Sequence, residues 1–221
     1  MRARFNGITE KVKKMRTPVM MKRLAETSPR LKARIAGAFY LITFLTGAAA
    51  LVFVRGALAA NLIAGACYIA VTLLFYDLFK PVNRSLSLLA AFFSLAGCAI
   101  GALSALHLAV FHINSLVFFG FYCLLIGYLI FRSTFLPRIL GALMAFGGLG
   151  WLTFLSPPLA HSLSPYNFAP GILAEGSLIL WLLAIGVNEQ RWREQASTAG
   201  SGDRARHAPL GQSLPKEVKS G

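Results

Sequence analysis

Glu175 and His107 are the residues of this chain best placed for chemistry, since each is ionisable and lies within a long apolar stretch. Glu175 is about eight residues into the last stretch, which places it roughly 11 Å below the membrane surface at about 1.5 Å per residue. A carboxyl at that depth costs on the order of 2.5–3.5 kcal/mol, so it is either bonded to a partner or protonated. Intramembrane acids are often functional, and a helix–helix packing bond is the structural alternative.

The candidate partners of Glu175 lie near the outer ends of neighbouring stretches. His107 is at the outer end of the third stretch, and Asn61 and Arg55 mark the outer end of the second. We expect these four residues to meet in the outer half of the bundle. A Glu–His or Glu–Arg pair would there satisfy the buried charge.

Two more histidines, His112 and His161, follow in outer connections. With His107 and Glu175 they offer the ligand types of a catalytic zinc ion. The chain has neither an HExxH motif nor a closely spaced ligand pair, so we predict no cofactor and keep the metal site as an alternative. No phosphate loop, GxSxG elbow or dinucleotide fingerprint is present either.

Asp77, Asn83 and Arg84 belong to a polar turn between the second and third stretches. Lys80 and Arg84 are near enough in sequence to pair with Asp77, which we therefore interpret as structural. Either Asn83 or Ser85 is expected to cap the following helix. The three cysteines fall within apolar stretches and form no CxxC, so they are interpreted as packing residues.

The elements that must position these residues are apolar segments long enough to cross a membrane. Hydrophobic residues make up 56% of the chain and charged residues 14%, whereas a soluble domain carries about 25% charged residues. A span needs about 20 mostly apolar residues. The composition and segment lengths predict an all-α, six-helix integral membrane bundle with spans at about 35–54, 57–79, 86–110, 115–131, 139–158 and 168–187.

The basic residues predict how this bundle sits in the membrane. Of 22 Lys and Arg residues, only Arg55 falls in a connection that would face outward, so both termini are expected in the cytoplasm. We divide the chain into a basic arm at 1–34, a membrane domain at 35–190 and a disordered basic tail at 191–221. Ser28 followed by Pro29 predicts that the first helix begins before its apolar stretch.

The charge also indicates the partners. The basic arm and tail are expected to contact anionic lipid at the cytoplasmic face of a plasma membrane, and nucleic acid is not expected as a partner. The sequence identifies no protein partner.

Small and polar residues follow three-and-four spacing along four of the stretches, which is the usual pattern of helix–helix contact in lipid. The simpler interpretation is a compact bundle with these faces inside, and the alternative is that they line a cavity. The stripes comprise Asn61, Gly65, Tyr68, Thr72 and Tyr76; Ser94, Gly97, Gly101, Ser104 and His107; Gly120, Cys123 and Gly127; and Gly141, Ala145 and Gly148.

Several segments resemble a family of largely bacterial membrane proteins, domain of unknown function 4386. They include Pro81-Val-Asn-Arg, Leu136-Pro-Arg-Ile-Leu-Gly and Ala174-Glu-Gly-Ser-Leu-Ile-Leu-Trp-Leu-Leu, and the resemblance covers roughly residues 33–192. The resemblance implies a multi-helix membrane fold, an acidic residue and a tryptophan in the last helix at Glu175 and Trp181, and a turn at Asn83 and Arg84. It implies no reaction.

Three functions stay open on the sequence alone. A non-enzymatic accessory or sensing protein fits the short connections and the absence of catalytic motifs. A small proton-coupled transporter would use Glu175 and would require a homodimer, since six short helices form a small translocation unit. An intramembrane metal-dependent enzyme would use His107, His112, His161 and Glu175.

Overall fold

The computed structural model describes residues 28–52, 57–108 and 114–206. Six long helices carry the predicted spans, which confirms the all-α six-helix fold. Five of them are α1 (Pro29–Val52), α2 (Ala57–Phe79), α3 (Arg84–Ala105), α4 (Ser115–Arg132) and α5 (Arg138–Leu152). A 3-10 turn at Thr153–Leu155 extends α5, the short helix α6 (Pro157–Leu163) follows, and a second 3-10 turn at Tyr166–Phe168 leads into α7 (Ala169–Ala184).

Local capping fixes several helix ends. The Ser28 hydroxyl accepts a hydrogen bond from the Leu31 amide at 3.2 Å, so α1 starts where the Ser–Pro signal predicted. Asn83, one of the two candidate caps, accepts from the Leu86 amide at 3.0 Å. Gly186 ends α7 with a φ of 75°, a left-handed conformation that glycine adopts without a steric penalty.

The six long helices form a closed ring. Each of α1 to α4 packs against the next helix in sequence, α5 packs against α7, and α7 packs against α1. In this order α3 and α7 lie on opposite sides of the ring. We call the end where α1, α3 and α5 begin the basic end, because Arg30, Lys32, Lys80 and Arg84 lie there.

The predicted small-residue stripes hold α4 and α5 together. A Cβ at Gly141 would lie 2.7 Å from the Gly127 carbonyl oxygen, and one at Gly148 would lie 2.8 Å from that of Gly120. The backbones therefore approach to distances that only glycine permits. The stripe on α2 is not in close contact at every position, since a Cβ at Gly65 would have open space around it.

The chain after α7 is helical where the sequence predicted disorder. Helix α8 covers Glu189–Arg206. Asn188 caps it by accepting from the Arg191 amide at 3.1 Å, and the Trp192 indole donates to the Leu78 carbonyl at 2.8 Å. The polar composition suggested a solvated tail, but the Asn188 cap starts the helix and the half-buried Trp192 anchors it to the bundle. The predicted disorder therefore fails for residues 191–206.

Candidate functional site

Glu175 lies on α7 with only 9% of its surface exposed. Its Oε1 atom accepts a hydrogen bond from the Trp151 indole nitrogen on α5 at 2.9 Å. The Cys123 thiol of α4 lies 3.9 Å from the same oxygen, and the buried Tyr40 of α1 lies near the carboxyl. One acid thus connects α7 with three other helices.

Trp151 reaches Glu175 because the surface of α7 beside the carboxyl carries no side chain at Gly171. Gly171 lies one helical turn before Glu175, and a Cβ there would lie 2.8 Å from the indole nitrogen and would overlap the ring. Gly147, one turn before Trp151 on α5, leaves room for the side chain of Ala174 in the same way. The two helices therefore cross closely, and the indole lies against Gly171 with its N–H directed at the carboxyl.

Three tyrosines complete this interior. Tyr40 and Tyr68 place their hydroxyl oxygens 3.5 Å apart, and the ring of Tyr68 meets that of Tyr122 edge to face at a centroid distance of 5.8 Å. The Tyr122 hydroxyl is buried and has no partner among the described residues. We call this group the polar core; it comprises Glu175, Trp151, Cys123, Tyr40, Tyr68 and Tyr122.

A separate hydroxyl pair joins α2 to α3. Thr72 and Ser94, which the stripes placed on inward faces, have their side-chain oxygens 2.5 Å apart. Thr72 also donates to the Tyr68 carbonyl at 2.8 Å. Both residues are almost fully buried, so this part of the predicted inward surface is a packed helix contact.

The predicted partners of Glu175 lie elsewhere or outside the described residues. His107 follows the end of α3, exposed and with a φ of 57°. Asn61 is exposed on α2, and Arg55 lies outside the described residues. The Glu175 carboxyl has no cationic partner among the side chains that the structure describes, which are those of residues 28–50, 57–108 and 114–201.

The histidines are likewise apart from the acid. His161 is exposed on α6, and His112 lies outside the described residues. Across the part of the chain that the structure describes, no three His, Cys, Asp or Glu residues come close enough to share a metal ion. The ring explains this separation for His107, because α3 is opposite α7.

Asp77 pairs with Lys80, as its sequence position suggested, and with Lys32 of α1. Lys32 takes the place that we expected for Arg84, which begins α3 and is exposed. Asp77 thus joins α1 to the end of α2, in keeping with a structural role.

Sequence reasoning missed Trp151, Tyr40 and Tyr122, and it treated Cys123 only as a packing residue. One signal was present: Gly171 and Glu175 are four residues apart and share a face of α7. A glycine beside an intramembrane acid indicates a close neighbour, but the spacing alone does not say which aromatic side chain fills the gap.

Six helices with the length and apolar character of membrane spans define this chain as a multi-pass membrane protein. A family model described as Domain of unknown function (DUF4386) matches residues 54–114 and 102–186. These matches cover more than half of the chain, so the chain belongs to this family, and the resemblance seen in the sequence is confirmed.

An archaeal relative is similar over part of its length. An uncharacterized protein of Archaeoglobus fulgidus is 32% identical over 90 residues, which are 38% of this chain and 56% of the relative. The chain therefore spans little more than half of that protein. No solved structure matches the chain.

Proposed function

We propose that this chain is a non-enzymatic accessory or sensing protein of the plasma membrane. The observation that carries the proposal is the enclosure of Glu175 within the polar core. A carboxyl that shuttles protons or binds a substrate needs access to water or ligand. Here Trp151 covers it from α5, Cys123 from α4 and Tyr40 from α1.

This arrangement supports a packing role for the acid. A hydrogen bond between helices in a bilayer contributes on average about 0.6 kcal/mol, and at most about 1.7 kcal/mol. The Trp151–Glu175 bond lies beside Gly147 and Gly171, where α5 and α7 approach each other closely. On this proposal the carboxyl specifies how the helices pack, and contacts with other molecules occur at the bundle surface.

The excess of positive charge supports the orientation within this proposal. The chain has 22 basic and 8 acidic residues, and Lys and Arg concentrate on the cytoplasmic side of membrane proteins. The basic end and both termini then lie in the cytoplasm. Arg30, Lys32, Lys80 and Arg84 would be at the level of the lipid headgroups.

Complementation with Glu175→Gln tests the proposal, because glutamine keeps the size and an acceptor oxygen but cannot ionise. A strain that lacks the protein is profiled for growth across pH, salt and membrane stress, and the variant is then expressed at the wild-type level. We expect Glu175→Gln to restore growth and Glu175→Ala to reduce protein abundance. A Glu175→Gln protein that is folded and abundant but inactive would contradict the accessory function.

A proton-coupled carrier is the second candidate, and one observation favours it. The Glu175 carboxyl has no cationic partner among the described residues, and it lies beside the Tyr40–Tyr68 hydroxyl pair, whose oxygens are 3.5 Å apart. A carboxyl next to hydroxyl groups can exchange a proton along them. The metal-dependent enzyme has no comparable support, because the described candidate ligands are dispersed.

Vesicles containing the purified protein and an internal pH dye distinguish the carrier from the accessory protein. A carrier would move protons with an added substrate, and Glu175→Gln would abolish that flux. Glu194→Gln, a change at an exposed acid on α8, is the matched control and should have no effect. Flux equal to that of empty vesicles across a broad substrate panel would count against the carrier.

A further inference from the structure

A pocket of about 480 Å³ opens at the basic end of the bundle. Its walls come from the first turn of α1, the connection between α4 and α5, and the junction of α7 with α8. The polar residues that line it, together with one tryptophan, are Arg30, Thr134, Asn188, Glu189, Arg191 and Trp181. The pocket lies at the end of α7, and its lining residue on that helix nearest to Glu175 is Trp181, six residues further along.

Two exposed arginines at the pocket donate hydrogen bonds to backbone carbonyls. Arg30 Nε donates to the Ile185 carbonyl at 3.3 Å, and an Arg191 terminal nitrogen donates to the Thr134 carbonyl at 3.4 Å. Each bond uses one of the five N–H donors of a guanidinium. Neither arginine forms an ion pair within the described residues, so both keep donors and a positive charge at the pocket.

The acid in the pocket wall has its own partner. Glu189 Oε1 accepts from Arg193 at 2.6 and 3.3 Å, one turn further along α8. Its charge is therefore matched outside the pocket, and the Arg30 and Arg191 charges are left in excess. Two guanidiniums that face one space favour an anion with several acceptor oxygens, and a phosphate group has that geometry.

The pocket walls are held in place before any ligand enters. The Thr134 amide and hydroxyl both donate to Gln195 Oε1 at 3.2 Å, which ties the α4–α5 connection to α8. The Asn188 amide donates to the Phe135 carbonyl at 3.2 Å. A site with fixed donors loses less entropy on binding than one that must first be ordered.

The remaining walls are apolar. Phe135, Leu136, Ile185 and Val187 line the pocket beside Trp181, and tryptophan is enriched where membrane proteins meet the headgroup region. Apolar walls next to two guanidiniums fit a ligand with an acyl portion and an anionic head. We infer that this pocket binds the phosphate group of an anionic membrane lipid. This inference goes beyond the proposed function and does not depend on the role of Glu175.

Native mass spectrometry of the delipidated full-length protein tests the site with phosphatidylglycerol, with phosphatidylcholine as the neutral-headgroup comparison. Wild type should bind phosphatidylglycerol in preference to phosphatidylcholine. Arg30→Gln and Arg191→Gln should each weaken phosphatidylglycerol binding about tenfold, since each removes a charge-assisted hydrogen-bond donor set. Arg84→Gln, the same charge change at the same end but away from the pocket, is the matched control and should change binding less than twofold.

Inorganic phosphate, titrated in competition, distinguishes the source of the anion. If millimolar phosphate leaves phosphatidylglycerol bound, the ligand is a lipid headgroup; if it displaces the lipid from wild type, the site also serves soluble phosphates. Arg30 also donates a hydrogen bond to the end of α7, so its loss could weaken binding by destabilising the fold. Lipid binding by Arg30→Gln is therefore compared with that of wild type under conditions where both proteins are equally folded. Arg191→Gln provides a second test. Equal binding by wild type and both pocket variants, or equal weakening by Arg84→Gln, would overturn the site.

Discussion

Replacing Gly171 by alanine tests the packing that holds Glu175 in place. The added methyl group would overlap the Trp151 indole and lie 2.8 Å from its nitrogen. The indole is wedged between α5 and α7, so it cannot move away without separating those helices or losing its hydrogen bond to Glu175. The change should therefore destabilise the whole bundle.

The size of the effect follows from three contributions. Overpacking a filled interior costs about 1–3 kcal/mol. Loss of the Trp151–Glu175 bond adds about 0.6–1.7 kcal/mol, the average and the maximum found for bonds between membrane helices. The better helix propensity of alanine returns about 0.5–1 kcal/mol. The expected net loss of unfolding free energy is about 1–4 kcal/mol.

Thermal unfolding of the purified protein in detergent, followed by tryptophan fluorescence, measures this loss. A chain of this size shifts its midpoint by about 2–4 °C per kcal/mol, so a loss of about 1–4 kcal/mol should lower the midpoint of Gly171→Ala by about 2–16 °C. Gly176→Ala is the matched control, because it lies on the same helix and has open space around it. That change should leave the midpoint unchanged or raise it slightly. Equal midpoints for the two variants would refute the Trp151–Gly171–Glu175 packing.

Three further substitutions test other contacts of the bundle. Gly141→Ala should cost about 1–3 kcal/mol in the same assay, because its Cβ would lie 2.7 Å from a carbonyl oxygen of α4. The control is Gly65→Ala, where space is open, and equal midpoints for the two variants would show that α4 and α5 are not in close contact. Asp77→Asn should lower the unfolding free energy by about 1 kcal/mol, because it leaves the partly buried Lys32 without its counter-charge. If high salt does not reduce this difference between the variant and wild type, the contact is not an ion pair. Trp192→Phe removes the indole bond to a carbonyl of α2 and should speed limited proteolysis of α8 several-fold, and unchanged cleavage would show that the indole does not anchor the helix.

The fold was predictable because hydropathy and capping are local properties. Apolar segments of sufficient length must become helices in a bilayer, where every backbone polar group needs an internal partner. The cap at Ser28 and the glycines that join α4 to α5 could likewise be identified from residue type and spacing. Helix α8 could not, because its stability depends on Trp192 meeting the end of α2, a contact between distant parts of the chain.

The site was predictable only in its central residue. Glu175 stood out because a carboxyl within an apolar span always needs an explanation. Its partner depended on the order of helices around the ring, which spacing along one helix does not encode. The expected pairing with His107 required α3 beside α7, whereas the ring places α5 next to α7 and brings Trp151 to the carboxyl.

The most direct test of the accessory function is native mass spectrometry with elemental analysis on detergent-purified wild type and Glu175→Gln. We predict equally folded proteins with the same bound lipids, and no metal or small molecule whose presence depends on Glu175. A stoichiometric metal ion or organic ligand that wild type retains and Glu175→Gln loses would contradict the account and identify the polar core as a binding or catalytic site.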